Sequence, residues 1–137
     1  MAEYLKPLPV ITDGNREFWE GCAAGELRMQ KCSECGHVRY PVSILCPRCL
    51  SRSTDWVALS GAGTVFSYVI FHQAYNEAFA QEVPYNVALI QLLEGPRMFS
   101  NVVGCANHEV HVGDEVTVVF DQVTKVVAIP RFRKIPF

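Results

Sequence analysis

Half of this 137-residue chain is hydrophobic, enough for a packed core and too much for a disordered polymer. No apolar run approaches the ~18 residues of a membrane span, and Glu3 with two early prolines stands where a signal peptide needs its apolar stretch, so a cytoplasmic chain with reduced cysteines is expected. The net charge of −2 is unevenly spread: residues 28–52 carry Arg28, Lys31, Arg39, Arg48 and Arg52 against Glu34, residues 61–122 carry seven acids against Arg97, and Lys125, Arg131, Arg133 and Lys134 follow with no acid.

Residues 1–10 contain two prolines and read as an extended arm. Thr12 or Asp13 then caps a short helix that turns Phe18, Trp19, Cys22 and Ala23 to one side and Arg16, Glu17 and Glu20 to the other. Gly25 ends it. One such helix cannot bury Phe18 and Trp19 by itself. They pack either on the rest of this chain or on a partner.

Residues 27–30 form a strand leading into Cys32-Ser33-Glu34-Cys35-Gly36, and residues 37–44 return toward Cys46-Pro47-Arg48-Cys49. These are two Cys-x-x-Cys hooks with ten residues between them. The two-residue gap lets both thiolates of a hook reach one ion. Four thiolates without a histidine or carboxylate suit a structural Zn²⁺ in a closed tetrahedral site. Cys32, Cys35, Cys46 and Cys49 are therefore the expected ligands, and His37 is a neighbour of the site. Arg39, Tyr40 and Pro41 read as an exposed edge of this ribbon.

After Trp56 the pattern changes. Gly61-Ala62-Gly63 is a hinge, and period-two alternation predicts strands at 64–72, 86–94, 97–103, 115–121 and 125–129. Residues 73–84 make a long connection with Tyr75, Phe79 and Ala80, read as a helical turn or a ligand lid. Residues 130–137 read as an apolar and basic tail. Five strands of this length fit a Greek-key barrel of the OB type; a ribbon on a small sandwich is the competing architecture. The organisation is then an arm and helix at 1–26, a ribbon at 27–60 and a barrel with its tail at 61–137.

Catalytic patterns are lacking. There is no Ser-His-Asp spacing and no His-Glu-x-x-His motif. His108, Glu109 and His111 lie together in a connection, where they form an open metal or acid/base site or a chance grouping. Cys22 and Cys105 read as small buried hydrophobes.

The sequence resembles a known family, the zinc-ribbon/OB-fold proteins of the domain of unknown function thirty-five. The residues that carry the likeness are Glu17-Phe18-Trp19-Glu20-Gly21, Gly25 to Gly36 with the first hook, Tyr40-Pro41, the second hook, Trp56, Gly61 to Ser67 and Val112-Gly113-Asp114-Glu115-Val116. It spans residues 9–132, nearly the whole chain. Leu50 departs from the pattern, because the family has Gly after the second hook, and this bears on the local turn.

The resemblance implies a mainly β fold: an N-terminal helix, a rubredoxin-like zinc ribbon and a five-stranded OB-fold barrel. It further implies a non-catalytic accessory subunit that docks on a thiolase-like acyltransferase or aldolase in a hetero-oligomer and helps to hold a coenzyme A thioester. For such a ligand, Arg39, Arg131, Arg133 and Lys134 are candidates for the phosphates. Tyr40 and Phe132 are candidates for stacking on adenine, and Tyr75, Phe79 and Tyr85 for lining an acyl channel. Nucleic-acid binding is the alternative that the same modules permit. The acidic body argues against it, because phosphate neutralisation dominates such affinity.

Overall fold

The computed structural model describes residues 6–136, so the start of the expected arm, residues 1–5, and the last residue of the tail lie outside the described residues. The helix α1 spans Arg16–Ala23. It starts two to three residues later than the expected caps allow, with Asn15 at the capping position. The Thr12 N–H donates to Asn15 Oδ1 at 2.7 Å and the Asn15 N–H returns to Thr12 Oγ1 at 3.3 Å, which uses Thr12 in a turn before the helix. Phe18 and Cys22 are buried. Phe18 meets Trp19 edge to face at 5.0 Å and Tyr40 at 5.6 Å, and it belongs to the core of the chain itself. The helix therefore needs no partner to cover Phe18.

A three-stranded antiparallel sheet follows, with β1 (Leu27–Cys32) between β2 (Val38–Arg39) and β3 (Thr54–Leu59). The return arm after the first hook is only two residues long. The third strand, β3, supplies most of the pairing, from Leu27 opposite Leu59 to Cys32 opposite Thr54. Leu27 and Met29 are buried beneath α1 and join the common core.

The second sheet holds β4 (Ala62–Phe71), β5 (Tyr85–Leu92), β6 (Arg97–Ser100), β7 (Val102–Val103), β8 (Glu115–Gln122) and β9 (Ala128–Lys134). Its order is β6-β5-β4-β8-β9-β7. Gly61, at φ +81°, swings the chain from the first sheet into the second, and its carbonyl accepts the Val118 N–H at 2.9 Å. A side chain there would clash with Val118.

Two expectations change. The strand predicted at 97–103 is broken at Asn101 into β6 and β7, which pair with opposite ends of the sheet, β6 with β5 and β7 with β9 in parallel. The sheet thus has six strands and is open, yet its two edge strands are neighbours in the chain. The basic tail is a strand: β9 runs to Lys134 and pairs along β8 from Gln122–Ala128 to Val116–Lys134. Alternation decides which residues face in. Ala128, Pro130 and Phe132 are buried between the less buried Ile129, Arg131 and Arg133.

The interior is one continuous cluster. Val65, Ile90, Leu92, Val116 and Phe132 from the second sheet meet Phe18, Cys22, Leu27 and Met29 from the helix and the ribbon. Burial of such side chains stabilises a fold by about 1.5–3 kcal/mol each. No helix among the described residues is long and apolar enough to cross a membrane.

Candidate metal centre and ligand cleft

The two hooks close on each other. The Sγ atoms of Cys32, Cys35, Cys46 and Cys49 lie within 4.8 Å of one another, with Cys32 to Cys49 at 3.5 Å and Cys35 to Cys46 at 3.6 Å. A tetrahedral zinc with Zn–S of about 2.3 Å sets the sulfurs roughly 3.8 Å apart, so the cluster has the size of that site. None of the four is joined in a disulfide.

Local backbone explains the shape. The Gly36 N–H donates to the Cys32 carbonyl at 2.9 Å, and the Leu50 N–H donates to the Cys46 carbonyl at 2.8 Å. Both turns end in a left-handed residue, Gly36 at φ +79° and Leu50 at φ 65°. Leu50 therefore performs the glycine's task with a Cβ attached.

Electrostatics at the cluster favours a cation. The backbone N–H of Cys35, with that of Glu34, draws the Cys32 thiol down to about 6. Burial pushes Cys46 up, but N–H donors from Cys49 and Arg48 outweigh it and hold the group below its ordinary value. Ser51 lowers Cys49, yet its sulfur neighbours Cys32, Cys35 and Cys46 raise it to about 12. Four crowded thiolates repel until a divalent ion joins them. Cys32, Cys35, Cys46 and Cys49 would hold that ion and leave it no open position.

The other sulfurs are different. Burial pushes Cys22 up to about 12. Cys105 is also raised, by burial and by the charges of Glu109 and Asp114 against the opposing effect of Lys134. Both are poor nucleophiles at neutral pH. His108, Glu109 and His111 do not assemble a metal site. Glu109 Oε1 accepts the Ala106 N–H at 2.8 Å, and the His111 N–H donates to Asp114 Oδ2 at 2.8 Å; these are turn-forming bonds.

The expected coenzyme A contacts fall in four places. Arg131 lines an open cleft of about 840 Å³ together with Phe79, Tyr85, Phe120 and Asn101. Phe79 lies 5.4 Å from Tyr85, and Tyr85 stacks on Phe71 at 5.3 Å. The connection 73–84 thus contributes one wall, through Phe79 of its 3₁₀ turn, Glu77–Phe79, and through Glu82 and Pro84. Tyr75 stands against Phe71 instead, with its ring 6.2 Å away. Arg131 donates to Asp121 Oδ2 at 2.9 Å and also to Asn101 Oδ1.

Arg133 and Lys134 border a smaller recess of about 220 Å³ beside Cys105 and Glu109. Lys134 Nζ is held by the Glu109 carbonyl at 2.7 Å and by Asp114 at 3.3 Å. Phe132 is 0 % exposed and cannot stack on a ligand, because the strand alternation turns it into the core. Arg39 and Tyr40 lie in the ribbon. Arg39 is not on an exposed edge: it is 4 % exposed, drawn in by oxygen acceptors on Ser43 and Thr54. Tyr40 is half-buried against Phe18.

Sequence reasoning missed Asn86. Its buried side chain works as a piece of strand between β5 and β7. Asn86 Nδ2 donates to the Val102 carbonyl at 2.9 Å, and the Val102 N–H donates to Asn86 Oδ1 at 2.7 Å. Nothing in a lone asparagine within an apolar strand announces this, apart from its polarity at a position where the alternation demands burial.

Two family models match the chain. One, described as the ChsH2 rubredoxin-like zinc ribbon domain, covers residues 19–55, and the other, the ChsH2 C-terminal OB-fold domain, covers residues 56–121. The chain is 35% identical over 129 residues to the "Probable enoyl-CoA hydratase alpha subunit" of Thermomonospora curvata, spanning 94% of this chain and 40% of that protein. It is 37% identical over 94 residues to a "DUF35 domain-containing scaffold protein" of Methanothermobacter thermautotrophicus, spanning 68% of this chain and 70% of that one.

A "Benzoylsuccinyl-CoA thiolase subunit BbsA" of Thauera aromatica is 28% identical over 99 residues, spanning 70% of this chain and 67% of that subunit. Among solved structures, a chain of the "Ltp2-ChsH2(DUF35) aldolase" superposes with a TM-score of 0.83 at 34% identity, over 93% of this chain and 98% of that one. With ribbon and barrel both matched and a solved relative aligned over almost its full length, this chain belongs to the DUF35 family of ChsH2-type zinc-ribbon/OB-fold proteins.

Proposed function

We propose that this chain is an accessory subunit without catalysis of its own. It docks on a thiolase-like acyltransferase or aldolase, offers its cleft to part of a coenzyme A thioester, and carries zinc as a structural ion. The observation that carries the docking half is the close likeness to the ChsH2 chain of an aldolase named for two components. The thiolase subunit among its relatives points the same way. Two relatives are named hydratase alpha subunits, but this chain spans only 40% of one and 30% of the other. A closed set of four sulfur donors offers substrate no place on the metal, and burial raises both the Cys22 and the Cys105 thiol above the ordinary range.

The cleft supports the ligand half. Phe79, Tyr85 and Phe120 give it an apolar lining, and two ion pairs, Arg131 with Asp121 and Lys6 with Glu82, supply charged groups that a ligand could engage. Such a mix suits an apolar chain that ends in charged groups. The nucleic-acid reading is weaker, since residues 61–122 offer Arg97 alone against seven acids.

The test is reconstitution. The chain is expected to co-elute with a thiolase-like protein, and the pair to bind an acyl-coenzyme A saturably in calorimetry. Arg131→Ala should weaken that binding about tenfold while leaving co-elution intact. Turnover of thioesters by the chain alone would refute the non-catalytic assignment. Failure of the pair to form would refute docking. A pair that forms but ignores thioesters would refute the ligand half.

A further inference from the structure

The ribbon buries a positive charge that has no carboxylate partner among the described residues. Arg39 is 4 % exposed. Its Nε donates to Ser43 Oγ at 2.9 Å, and its Nη2 donates to the Ser43 carbonyl at 3.1 Å and to Thr54 Oγ1 at 2.7 Å. Every one of these acceptors is neutral. The remaining nitrogen, Nη1, is buried with no hydrogen-bond partner. The ion pairs among the described residues engage Lys6, Arg16, Arg28, His111, Arg131 and Lys134, and none engages Arg39. A buried cation with neutral neighbours alone is strongly destabilising. Something of opposite sign must offset it.

The register of the ribbon points toward the cysteine cluster. Arg39 on β2 is opposite Gln30 on β1, and Cys32, two residues further along β1, is opposite Thr54 on β3. Directly paired residues, and residues two apart on a strand, share one face of a sheet. Arg39, Gln30, Cys32 and Thr54 therefore occupy the same face, and the guanidinium is bonded to the residue paired with a ligand cysteine. Its other anchor, Ser43, lies three residues before Cys46; the Ser43 N–H donates to Gln30 Oε1 at 2.8 Å, and its hydroxyl donates to the Leu45 carbonyl at 2.8 Å. The arginine thus bridges the approaches to both hooks. Four thiolates around a divalent ion carry a net charge of −2.

We propose that Arg39 is the counter-ion of the metal centre, a positioning residue that holds the tetrathiolate site together by charge from the ribbon face it shares with Cys32. The inference rests on reading the cysteine cluster as a zinc site, and the experiment separates the two. The full chain is loaded with zinc and challenged with a chromogenic chelator at fixed pH. Cobalt replaces zinc in parallel, so that the thiolate charge-transfer band reports whether four sulfurs still bind.

Arg39→Met is expected to weaken zinc retention at least tenfold while keeping the cobalt band. Arg39→Lys, which keeps the charge, should stay within about threefold of the unaltered chain. Arg52→Met, which removes an exposed positive charge from the same ribbon, should leave retention unchanged. Retention by Arg39→Met within twofold of the unaltered chain would overturn the proposal, and so would a lysine variant as weak as the methionine one. If Arg39→Met fails to assemble the band, the lysine variant decides: retention far below that of the unaltered chain also overturns it. An unaltered chain that takes up no zinc refutes the zinc reading and the proposal with it, whereas normal uptake with no effect of Arg39→Met refutes the proposal alone.

Discussion

The two sheets are stabilised by different means. The three-stranded ribbon gives Leu27 and Met29 to the common core, but it also buries Cys32, Cys46, Gln30 and Arg39, so the rest of its interior is sulfur and polar groups. The six-stranded sheet buries Val65, Ile90, Leu92, Val116 and Phe132, a hydrocarbon interior. A sheet with β2 only two residues long cannot exclude water by itself, and coordination does the work that packing does elsewhere. The difference predicts that each region fails under a different insult.

The largest effect follows from removing a ligand. Zinc binding in comparable small sites contributes roughly 10–16 kcal/mol of apparent free energy that is also folding energy. Cys46→Ser, or a strong chelator, should let the β1–β3 amides exchange freely in a hydrogen-exchange experiment while β4, β5 and β8 stay protected. Loss of protection in both sheets at once would show that they fold as one unit.

The mirror-image change is Phe132→Ala. Truncating a fully buried phenylalanine costs about 3–5 kcal/mol. Denaturant unfolding should move by that amount, and zinc content measured below the transition should not change. A smaller effect belongs to Asn86→Ala, which leaves the buried Val102 N–H and carbonyl without their partners. Unsatisfied buried groups cost about 1–3 kcal/mol each, partly relieved by relaxation, so a loss of about 2 kcal/mol in urea unfolding is expected.

The smallest change is a gain. Leu50 is 69% exposed and left-handed. Removing its Cβ relieves about 1–2 kcal/mol of backbone strain against about 0.5–1 kcal/mol of added chain entropy. Leu50→Gly should therefore raise ribbon stability by about 0.5–1 kcal/mol, read as slower zinc release on heating.

The same contrast explains what could be read from the sequence. The hooks were legible because their spacing is itself the chemistry, and Gly61 because a turn needed it. Strands β4, β5 and β8 were legible because alternation is a local property. Arg39 was not, because its burial depends on Thr54, fifteen residues away in the chain. The break at Asn101 was not, because it arises from β7 pairing with β9, and Phe132 falls in the stretch from Pro130 onward that reads as a tail. That proline is tolerated in β9 opposite Phe120. The cleft around Arg131 was half legible: Phe79 and Tyr85 were named, while its asparagines depend on contacts between distant strands.

Asn101 joins the two rims of the larger sheet and also faces the cleft. Its carbonyl takes the Phe132 N–H at 2.9 Å, its amide nitrogen donates to the Asn86 carbonyl, and its amide oxygen accepts from Arg131. A guest that drew Arg131 toward itself would loosen one strut of this latch. The news would reach both margins through a single side chain, and occupancy of the groove would be felt as slackness or tension around the whole girdle of strands.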